Sequence, residues 1–591
     1  MEPESLLEGL DDAQRLVATS FGRPVAVIAG AGTGKTRALT HRIAYGVATG
    51  AYQPSAVLSV TFTTRAAAEL RERLAALGMF RVAARTFHST ALRLCRYFWP
   101  KAYGAELPAV AGDRRGLLAQ AAADCGLDTD QGLLRALDTE VSWTKASNVT
   151  LGRYAELADK YRRQPGGLDV ALVGKVLGRY EYLKNDRGLI DFDDILLCCC
   201  ALLQDSPGVA EQVRAQYRHF LVDEYQDVSG VQHTLLGLLL GGSQDLCVVG
   251  DPAQTIHTFA GADPVYLTGF QGAHHNARVI RLETDYRSTP EIVGLANCVF
   301  ATARLEGVKL RPARDSGPGC ELVPAASEDT EAAGVAQWLA LLHSEGVPWR
   351  EQAVLYRIHA QSDTVARALK AAGIPYVLRA VEPDSPDEEQ AWHSEPDAVT
   401  LATLHSAKGL EWDAVAIVGA QDGLLPFSRA NTPAQLAEEA RLCYVGVTRA
   451  RTWLRISWTG AVSPFLPAPQ QSLGAAPARP RRRPYRPATA LNQPCRVCGR
   501  RLSSAAELVL GRHKDCPASY DPEIYARLLV WRRRQAEAEG LAEFAIFTDA
   551  MLMAIAEAVP ADAAGLAAAG VIPAKCAAYG AEILRITTGS R

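Results

Sequence analysis

Residues Val25 to Thr36 read VAVIAGAGTGKT, an apolar run that passes into a glycine-rich segment and then into Lys-Thr. Such a run, with a helix-compatible sequence after it, predicts a strand, a phosphate-binding loop and a helix. Glycines let the loop bring backbone N–H groups against phosphate oxygens, and the helix N-terminus adds partial positive charge. We therefore expect a nucleotide triphosphate to contact Gly30, Ala31, Gly32, Thr33, Gly34, Lys35, Thr36 and Arg37.

Two side chains of this loop have specific expected roles. Lys35 would reach the β- and γ-phosphates, and the Thr36 hydroxyl would ligate Mg²⁺. Ala29 stands where the strict pattern has its first glycine. The alternative is a glycine-rich turn in an unrelated fold, and the strand before the loop and the helix after it argue against that alternative.

A carboxylate pair on a second strand would complete a triphosphatase. The segment from His219 to Glu224 reads HFLVDE, an apolar strand that ends in two acids. Asp223 would hold Mg²⁺, and Glu224 would orient and deprotonate the attacking water. The alternative is a solvated acidic turn. Together the two motifs predict hydrolysis of ATP.

Composition limits the class of protein. The 591 residues are too many for one core, so we expect three to five domains. A hydrophobic content of 48%, a charged content of 21% and a net charge of −3 are typical of a soluble globular protein. There is no apolar run of membrane-spanning length, and the acidic start Met1-Glu2-Pro3-Glu4 is unlike a signal peptide. The 13 cysteines fit a reducing compartment, so we expect a cytoplasmic protein with no membrane partner.

The segment DEYQD at 223–227 resembles motif II of superfamily 1 DNA helicases of the UvrD/Rep/PcrA type. Other motifs of that family occur in order, and the resemblance covers about residues 5 to 460. They are LDDAQ at 10–14, TFTTRAA at 61–67, TFHS at 86–89, VGDPAQ at 249–254, YRST at 286–289, TLHSAKGLE at 403–411 and YVGVTRA at 444–450. The resemblance implies an α/β fold with two RecA-like parallel-sheet motor domains. It also implies ATP-dependent 3′–5′ translocation on single-stranded DNA, in DNA repair or replication maintenance of a bacterial cell.

The same resemblance implies a role for each motif residue. Around ATP and Mg²⁺ it adds Gln14 and Tyr286 at the adenine, Glu411 near the ribose, Gln254 and Arg287 at the γ-phosphate, and Arg449 as an arginine finger. Guanidinium groups that reach across a cleft bind a triphosphate more tightly than a diphosphate, so ATP would close the cleft and hydrolysis would let it reopen. For single-stranded DNA or a 3′-tailed duplex it implies contacts from Thr61, Phe62, Thr63, Arg65, His88, Phe259 and His405.

Domain boundaries follow from the motifs. We expect a first motor domain at 1–90 and 205–275, a helical insertion at 91–204, and a second motor domain at 276–460. Only about two dozen residues separate Tyr376 from Thr403, where UvrD-like enzymes insert a helical subdomain called 2B. Its absence near 378–398 favours a translocase that displaces proteins and unwinds little. A non-catalytic, ATP-gated DNA-binding scaffold is the second alternative.

The C-terminal part differs in composition. Residues 461–494 are rich in Pro and Arg and predict a linker, whose arginines could hold phosphates. In 495–519, Cys495, Cys498, His513 and Cys516 have the spacing of a structural Zn²⁺ site, and the alternative is a loop with incidental thiols. Residues 520–591 resemble an all-α HRDC domain, which implies weak DNA binding or contact with a repair protein. This order of modules resembles the second UvrD-type helicases of actinobacteria, in which four cysteines replace the Cys₃His set.

Overall fold

A computed structural model describes most of the chain. The described residues are 2–128, 130–379, 397–467, Val497, Cys498, Arg512, Cys516, 520–539, Ile546, Phe547, 549–569, Val571 and 573–588. The chain divides into two compact units, Met1–Pro477 and Ala478–Arg591. Most of the predicted linker at 461–494 lies outside the described residues.

The first sheet has six parallel strands and contains the phosphate loop at the end of an inner strand. Across the sheet the strands lie in the order Ala83–Thr86, Val57–Thr61, His219–Val222, Leu246–Gly250, Val25–Ala29 and Arg278–Leu282. Every residue of Val25–Ala29 is buried, as expected for a parallel strand with helices on both faces. Because the carboxyl ends of parallel strands meet at one edge, the phosphate loop and the acids after Val222 lie at the same edge.

Helices cover both faces of this sheet and complete what we call the first lobe. They are Asp12–Thr19, Lys35–Ala48, Thr64–Ala76, Phe87–Tyr103, Asp194–Asp205, Pro207–Gln216, Gly230–Leu240, Val265–Thr268 and Phe270–Ala273. Side chains of Phe87–Tyr103 and Asp194–Asp205 share a buried cluster with Leu58 and Phe220 of the sheet. These two helices therefore belong to the first lobe.

The helical insertion has its own core. It consists of Arg114–Asp124, Gln131–Ala146, Tyr154–Lys160 and Val170–Asp186. A short parallel pair, Ala109–Val110 with Leu189–Ile190, closes its base. The insertion is therefore shorter at both ends than the expected range of 91–204.

The second sheet also has six parallel strands. Their order is Glu321–Pro324, Ala450–Trp458, Trp412–Ile417, Gln352–Tyr356, Val399–Thr403 and Tyr376–Leu378. With the helices Pro290–Thr302, Glu328–Ser344, Ser362–Ala371 and Pro433–Val447 it forms what we call the second lobe. The two parallel-sheet motor domains predicted from the sequence are confirmed.

The boundary between the lobes differs from the expected one. Strand Arg278–Leu282 pairs with Val25–Ala29, so the first sheet extends beyond residue 275. A second small parallel pair, Thr284–Asp285 with Arg311–Pro312, follows it. The segment 380–396, which contains most of the expected deletion, lies outside the described residues, but only 20 residues connect Leu378 to Val399.

From Pro522 onward, the described residues of the second compact unit are mainly helical. Its helices are Pro522–Glu539, Asp549–Ala558, Ala563–Ala568 and Pro573–Thr588, and they share one apolar core. Among the described residues of the whole chain, no helix is both long enough and apolar enough to span a membrane.

Candidate functional site

The phosphate loop has the conformation that its glycines predict. Gly32 and Gly34 have φ values of +69° and +75°, which L-residues with side chains rarely adopt. A Cβ atom on Gly32 would lie 2.3 Å from Asp285 Oδ1, so glycine is also required by space. Helix Lys35–Ala48 begins directly after Gly34, and Lys35 Nζ lies 3.3 Å from the Ala29 carbonyl oxygen. The loop therefore presents a lysine and a helix N-terminus at one point.

The acidic pair faces this lysine. Burial and the neighbouring Glu224 raise the pKa of Asp223, Lys35 opposes both effects, and the resulting pKa is about 7. Burial alone would raise the pKa of Glu224 too, but Lys35, Lys408 and Arg449 bring it below its ordinary value. Glu224 has φ +52°, a left-handed conformation that costs about 1 kcal/mol or more for a residue with a side chain. Backbone strain and strongly perturbed carboxylate pKa values of this kind are typical of functional sites.

Arg449 of the second lobe reaches the first lobe. It is 2% exposed, and its guanidinium donates to the carbonyls of Val445 and Leu410, and to Gln254 Oε1 at 3.2 Å. Burial and the nearby Arg287 together lower its pKa to about 10. Among the described residues no carboxylate lies within ion-pair distance of Arg449. A buried cation with only neutral acceptors fits an anionic ligand.

Gln254 is itself held by the first lobe. Its Nε2 donates to Asp251 Oδ2 at 2.7 Å, and Asp251 Oδ1 accepts from the Ala253 N–H. The Gln254 amide therefore connects Asp251, which directly follows a strand of the first sheet, to Arg449 of the second lobe.

Arg287 has a different partner from the one expected. Its guanidinium forms an ion pair with Glu411, the residue expected near the ribose, and NH1 donates to the Thr448 carbonyl at 3.3 Å. Glu411 also pairs with Arg451 at 2.9 Å. Arg287 must therefore share or leave Glu411 in order to bind a phosphate.

The expected adenine residues lie together beside the loop. Gln14 Nε2 donates to the Thr33 carbonyl at 3.0 Å, and the Gln14 and Asp11 side chains form a capping box at helix Asp12–Thr19. The Tyr286 hydroxyl donates to Asp11 Oδ2 at 2.6 Å, while its ring remains 45% exposed and available for stacking. A Cβ atom on Gly9 would lie 3.0 Å from the Arg37 guanidinium, which places Arg37 at the same pocket. Asp11 was not predicted, although it lies within the quoted motif.

Further contacts close the cleft between the lobes. Lys408 of the second lobe forms an ion pair with Asp227 and donates to the Gln254 carbonyl at 2.7 Å. Arg441 Nε donates to the Thr255 carbonyl at 2.6 Å. No role was predicted from the sequence for Lys408, Asp227 or Arg441, although the first two stand inside recognised motifs.

A row of four rings, which we call the aromatic row, crosses both lobes. Phe62 stacks on His257, His257 contacts Phe259, and Phe259 meets His405, with centroid separations of 5.7 to 6.0 Å. Burial and nearby cations lower the pKa of His405 to about 4 and that of His257 well below its ordinary value. Both imidazoles are therefore neutral at pH 7. Phe62 and Phe259 are 36% and 45% exposed, so bases could stack on them.

The remaining residues expected at DNA have different environments. Arg65 is exposed, and Thr63 caps helix Thr64–Ala76 by accepting from the Ala66 N–H. His88 stacks on the exposed ring of Phe192 at 4.2 Å. Thr61 is only 1% exposed because it ends a strand that is buried on both faces, so its side chain is not placed for direct contact with DNA.

Outside the cleft, two groups of residues are candidate metal ligands, an acidic cluster and the residues predicted to bind zinc. Glu181, Asp191 and Asp194 form an acidic cluster, but Lys145 and Lys184 make ion pairs inside it, so two of its three negative charges are already balanced. Of the predicted zinc ligands, Cys498 is exposed and Cys516 is half-buried, whereas Cys495 and His513 lie outside the described residues. The predicted zinc site therefore includes two residues, Cys495 and His513, that lie outside the described residues.

Comparisons with known proteins agree with this arrangement. A family model described as the UvrD/REP helicase N-terminal domain matches residues 10–275. One described as the UvrD-like helicase C-terminal domain matches 280–382 and 384–461, and one for the HRDC domain matches 521–587.

Individual relatives are similar over different lengths. ATP-dependent DNA helicase UvrD2 of Mycobacterium tuberculosis is 37% identical over 700 aligned positions, which cover 99% of each chain. ATP-dependent DNA helicase UvrD1 of the same species is 35% identical over 63% of this chain and 50% of its own length. ATP-dependent DNA helicase PcrA of Leuconostoc citreum is 33% identical over 64% of this chain and 51% of its own. Because the first similarity is both strong and full-length, the chain belongs to the UvrD-type family of ATP-dependent DNA helicases.

Proposed function

We propose that this helicase is a 3′–5′ translocase on single-stranded DNA, with a function in DNA repair or replication maintenance. The observation that supports it best is Arg449, a buried cation of one lobe that binds Gln254 of the other and has only neutral acceptors. An anion between Lys35 and Arg449 would bind both lobes at once. Loss of its terminal phosphate would weaken that grip and let the lobes separate.

Each cleft residue then has a proposed role in hydrolysis. Lys35 and the loop from Gly30 to Gly34 hold the phosphates, and Arg287 and Arg449 stabilise charge that develops during transfer. Glu224 orients the attacking water and accepts its proton. Thr36 and Asp223 fit a Mg²⁺ ion, because Asp223 is a buried carboxylate beside the helix that begins at Lys35. When bound, Mg²⁺ would neutralise phosphate charge.

We propose that the aromatic row binds single-stranded DNA, with Arg65 and His88 as further contacts and Thr63 shaping the loop. Phe62 and Phe259 belong to the first lobe and His405 to the second, so a change in the cleft would alter the spacing of the row. Single strands labelled at either end test the polarity. A 3′–5′ translocase gives a length-dependent delay only when the dye is at the 5′ end, and the same delay from the opposite end would refute the polarity.

Weak unwinding is a second candidate property. Only 20 residues join Leu378 to Val399, which is too few for a helical subdomain. The alignment with mycobacterial UvrD2 spans 700 positions while this chain has 591 residues, so more than a hundred positions have no residue here. We expect the chain to displace bound proteins from single strands and to open 3′-tailed duplexes poorly. Robust unwinding of long duplexes by the monomer would contradict this.

A non-catalytic scaffold is distinguished by the Lys35→Ala variant. The motor interpretation expects DNA-stimulated ATP turnover in the parent chain and its loss in the variant, because the lysine side chain is the main cation of the loop. A scaffold has no turnover to lose. Equal turnover in both chains would refute the assigned site.

The C-terminal unit is proposed to add affinity for DNA or to dock a repair protein, and Cys495, Cys498, His513 and Cys516 are proposed to bind a structural Zn²⁺. The groove between helices Pro522–Glu539 and Pro573–Thr588 has three arginines, Arg527, Arg534 and Arg585. Those charges fit an acidic partner or a phosphate backbone.

A further inference from the structure

The segment after the catalytic acids contains two buried side chains to which no role has been assigned. Gln226 is 0% exposed and Asp227 is 2% exposed. Gln226 Nε2 donates to Glu224 Oε2 at 2.5 Å and to Asp227 Oδ2 at 3.2 Å. The Gln226 amide therefore joins the proposed water-activating carboxylate to a second acid.

The second acid is bound from the other lobe. Lys408 forms an ion pair with Asp227 Oδ2, the same oxygen that accepts from Gln226. Asp227 Oδ1 is buried and has no hydrogen-bond partner among the described residues. The ionised state of Asp227 therefore depends on Lys408, and burial would otherwise favour a proton there.

The amide has one orientation in which all its contacts are satisfied. Its Oε1 accepts from the Asp251 N–H at 3.0 Å, and its Nε2 faces the two carboxylates. A Cβ atom on Gly250 would lie 2.4 Å from Gln226 Oε1, so the strand packs tightly on this side chain. If Asp227 lost Lys408 and took up a proton, it could donate to the amide oxygen instead, and the amide could turn away from Glu224.

We propose that Lys408 positions Glu224 through Asp227 and Gln226, so that the water-activating carboxylate is aligned when the second lobe has closed on the first. This proposal rests on the proposed role of Glu224 in ATP hydrolysis. All three are positioning residues, because none of them is proposed to touch the reacting atoms. The relay gives a physical reason for hydrolysis to wait for lobe closure.

A simple charge effect makes a different prediction from the relay. Lys408 lowers the pKa of Glu224, whereas the carboxylates of Asp227 and Glu224 repel each other, so by Coulomb's law alone removal of the Asp227 charge would favour the ionised base. The relay predicts the reverse, because a neutral asparagine side chain in place of Asp227 no longer binds Lys408 ionically or fixes the amide. The variant Asp227→Asn therefore separates the two explanations.

The experiment measures DNA-stimulated ATP turnover of the full-length chain at saturating single-stranded DNA. The variants are Lys408→Met, Asp227→Asn and the double variant, with Lys370→Met as the control, since Lys370 is an exposed lysine of the second lobe. Each single variant should lower kcat by about 10- to 100-fold, as expected when a catalytic group is displaced by about 1 Å. KM for ATP should change by less than about 3-fold, and the double variant should be no slower than the slower single variant. Lys370→Met should match the parent.

Several outcomes would overturn the relay. They are parental or higher kcat in Asp227→Asn, a raised KM with unchanged kcat in Lys408→Met, or effects that multiply in the double variant. A thermal unfolding scan accompanies each assay, and the double variant, which removes both charges, guards against loss of folding from one unpaired buried ion. Absence of turnover in the parent would instead refute the proposed function, whereas loss in Glu224→Gln beside parental activity in Asp227→Asn would refute the relay alone.

Discussion

Replacement of Arg449 by methionine should abolish turnover while leaving the nucleotide-free protein almost as stable as the parent. Methionine is shorter than arginine, but its flexible apolar side chain fills most of the same buried space without charge. The two effects separate because the guanidinium is bound by neutral groups in the protein and is proposed to find its counterion only on the nucleotide.

The effect on stability follows from two opposing contributions. Four hydrogen bonds are lost, to Val445, Leu410, Gln254 and Thr448, at about 1 kcal/mol each. The fall of the Arg449 pKa from 12.5 to about 10 means that burial disfavours the charge by roughly 3 kcal/mol, which the variant no longer bears. The net loss is about 1 kcal/mol, so the melting temperature should fall by no more than about 5 °C.

The effect on catalysis should be much larger. An arginine at a transferring phosphoryl group contributes about 10³- to 10⁵-fold to kcat, so turnover with saturating single-stranded DNA should fall by at least about 10³-fold. The assay compares the parent, Arg449→Met and Arg367→Met, a control at an exposed arginine of the same lobe. Turnover within tenfold of the parent, or a fall of more than about 15 °C in melting temperature, would refute the reasoning.

Three further changes test other parts of the account. Phe259→Ala should weaken binding of single-stranded DNA by about 5- to 150-fold, the range for loss of one stacked base. The control Phe80→Ala changes a residue that is 79% exposed outside the row and should leave binding unchanged. Equal effects of the two variants in a fluorescence anisotropy titration would contradict a DNA-binding role of the aromatic row. Because burial raises the pKa of Asp223 from 3.8 to about 7, the native state binds the proton more tightly than the unfolded chain. The free energy of unfolding of the nucleotide-free parent should therefore fall as pH rises from about 4 to about 7, and Asp223→Asn should lack this fall in denaturant titrations. Identical pH profiles of the two proteins would contradict the raised pKa. Elemental analysis should find about one zinc per chain in the parent and less in Cys498→Ser. The control Cys125→Ser, at a cysteine outside the predicted ligand set, should match the parent. A parent that is purified without chelator and contains no zinc would refute the metal site.

Local sequence was sufficient to predict the loop and the acidic strand end, whereas the two parallel sheets were expected from the resemblance to the helicase family. The conformations of Gly32 and Gly34 and the burial of Val25–Ala29 follow from residue types within a dozen positions. These features were predictable because strand, turn and helix preferences there all agree.

Contacts between distant segments were not predictable in the same way. Lys408 and Asp227 are 181 residues apart, and their pairing depends on how the two lobes meet. The motif residues Arg287 and Glu411 were expected at different parts of the nucleotide, and the structure pairs them with each other. A sequence pattern gives the types of charged residues in a cleft but not which of them neutralise one another.

The boundary between the two lobes and the burial of Thr61 also differ from the predictions, and each difference has a physical reason. Arg278–Leu282 is an edge strand that includes two exposed arginines, Arg278 and Arg281, so its membership of the first sheet is not visible from hydrophobicity. Thr61 has a polar side chain at a strand end that helices cover on both faces.

The most direct test of the central claim is a stopped-flow measurement of ATP-driven movement along single strands of graded length. If the two lobes bind one triphosphate and move on its hydrolysis, the time at which the chain reaches a 5′-terminal dye should increase linearly with strand length, and Arg449→Met should show no such arrival. A parent chain that hydrolyses ATP on DNA but reaches the dye at a time independent of strand length would contradict the account.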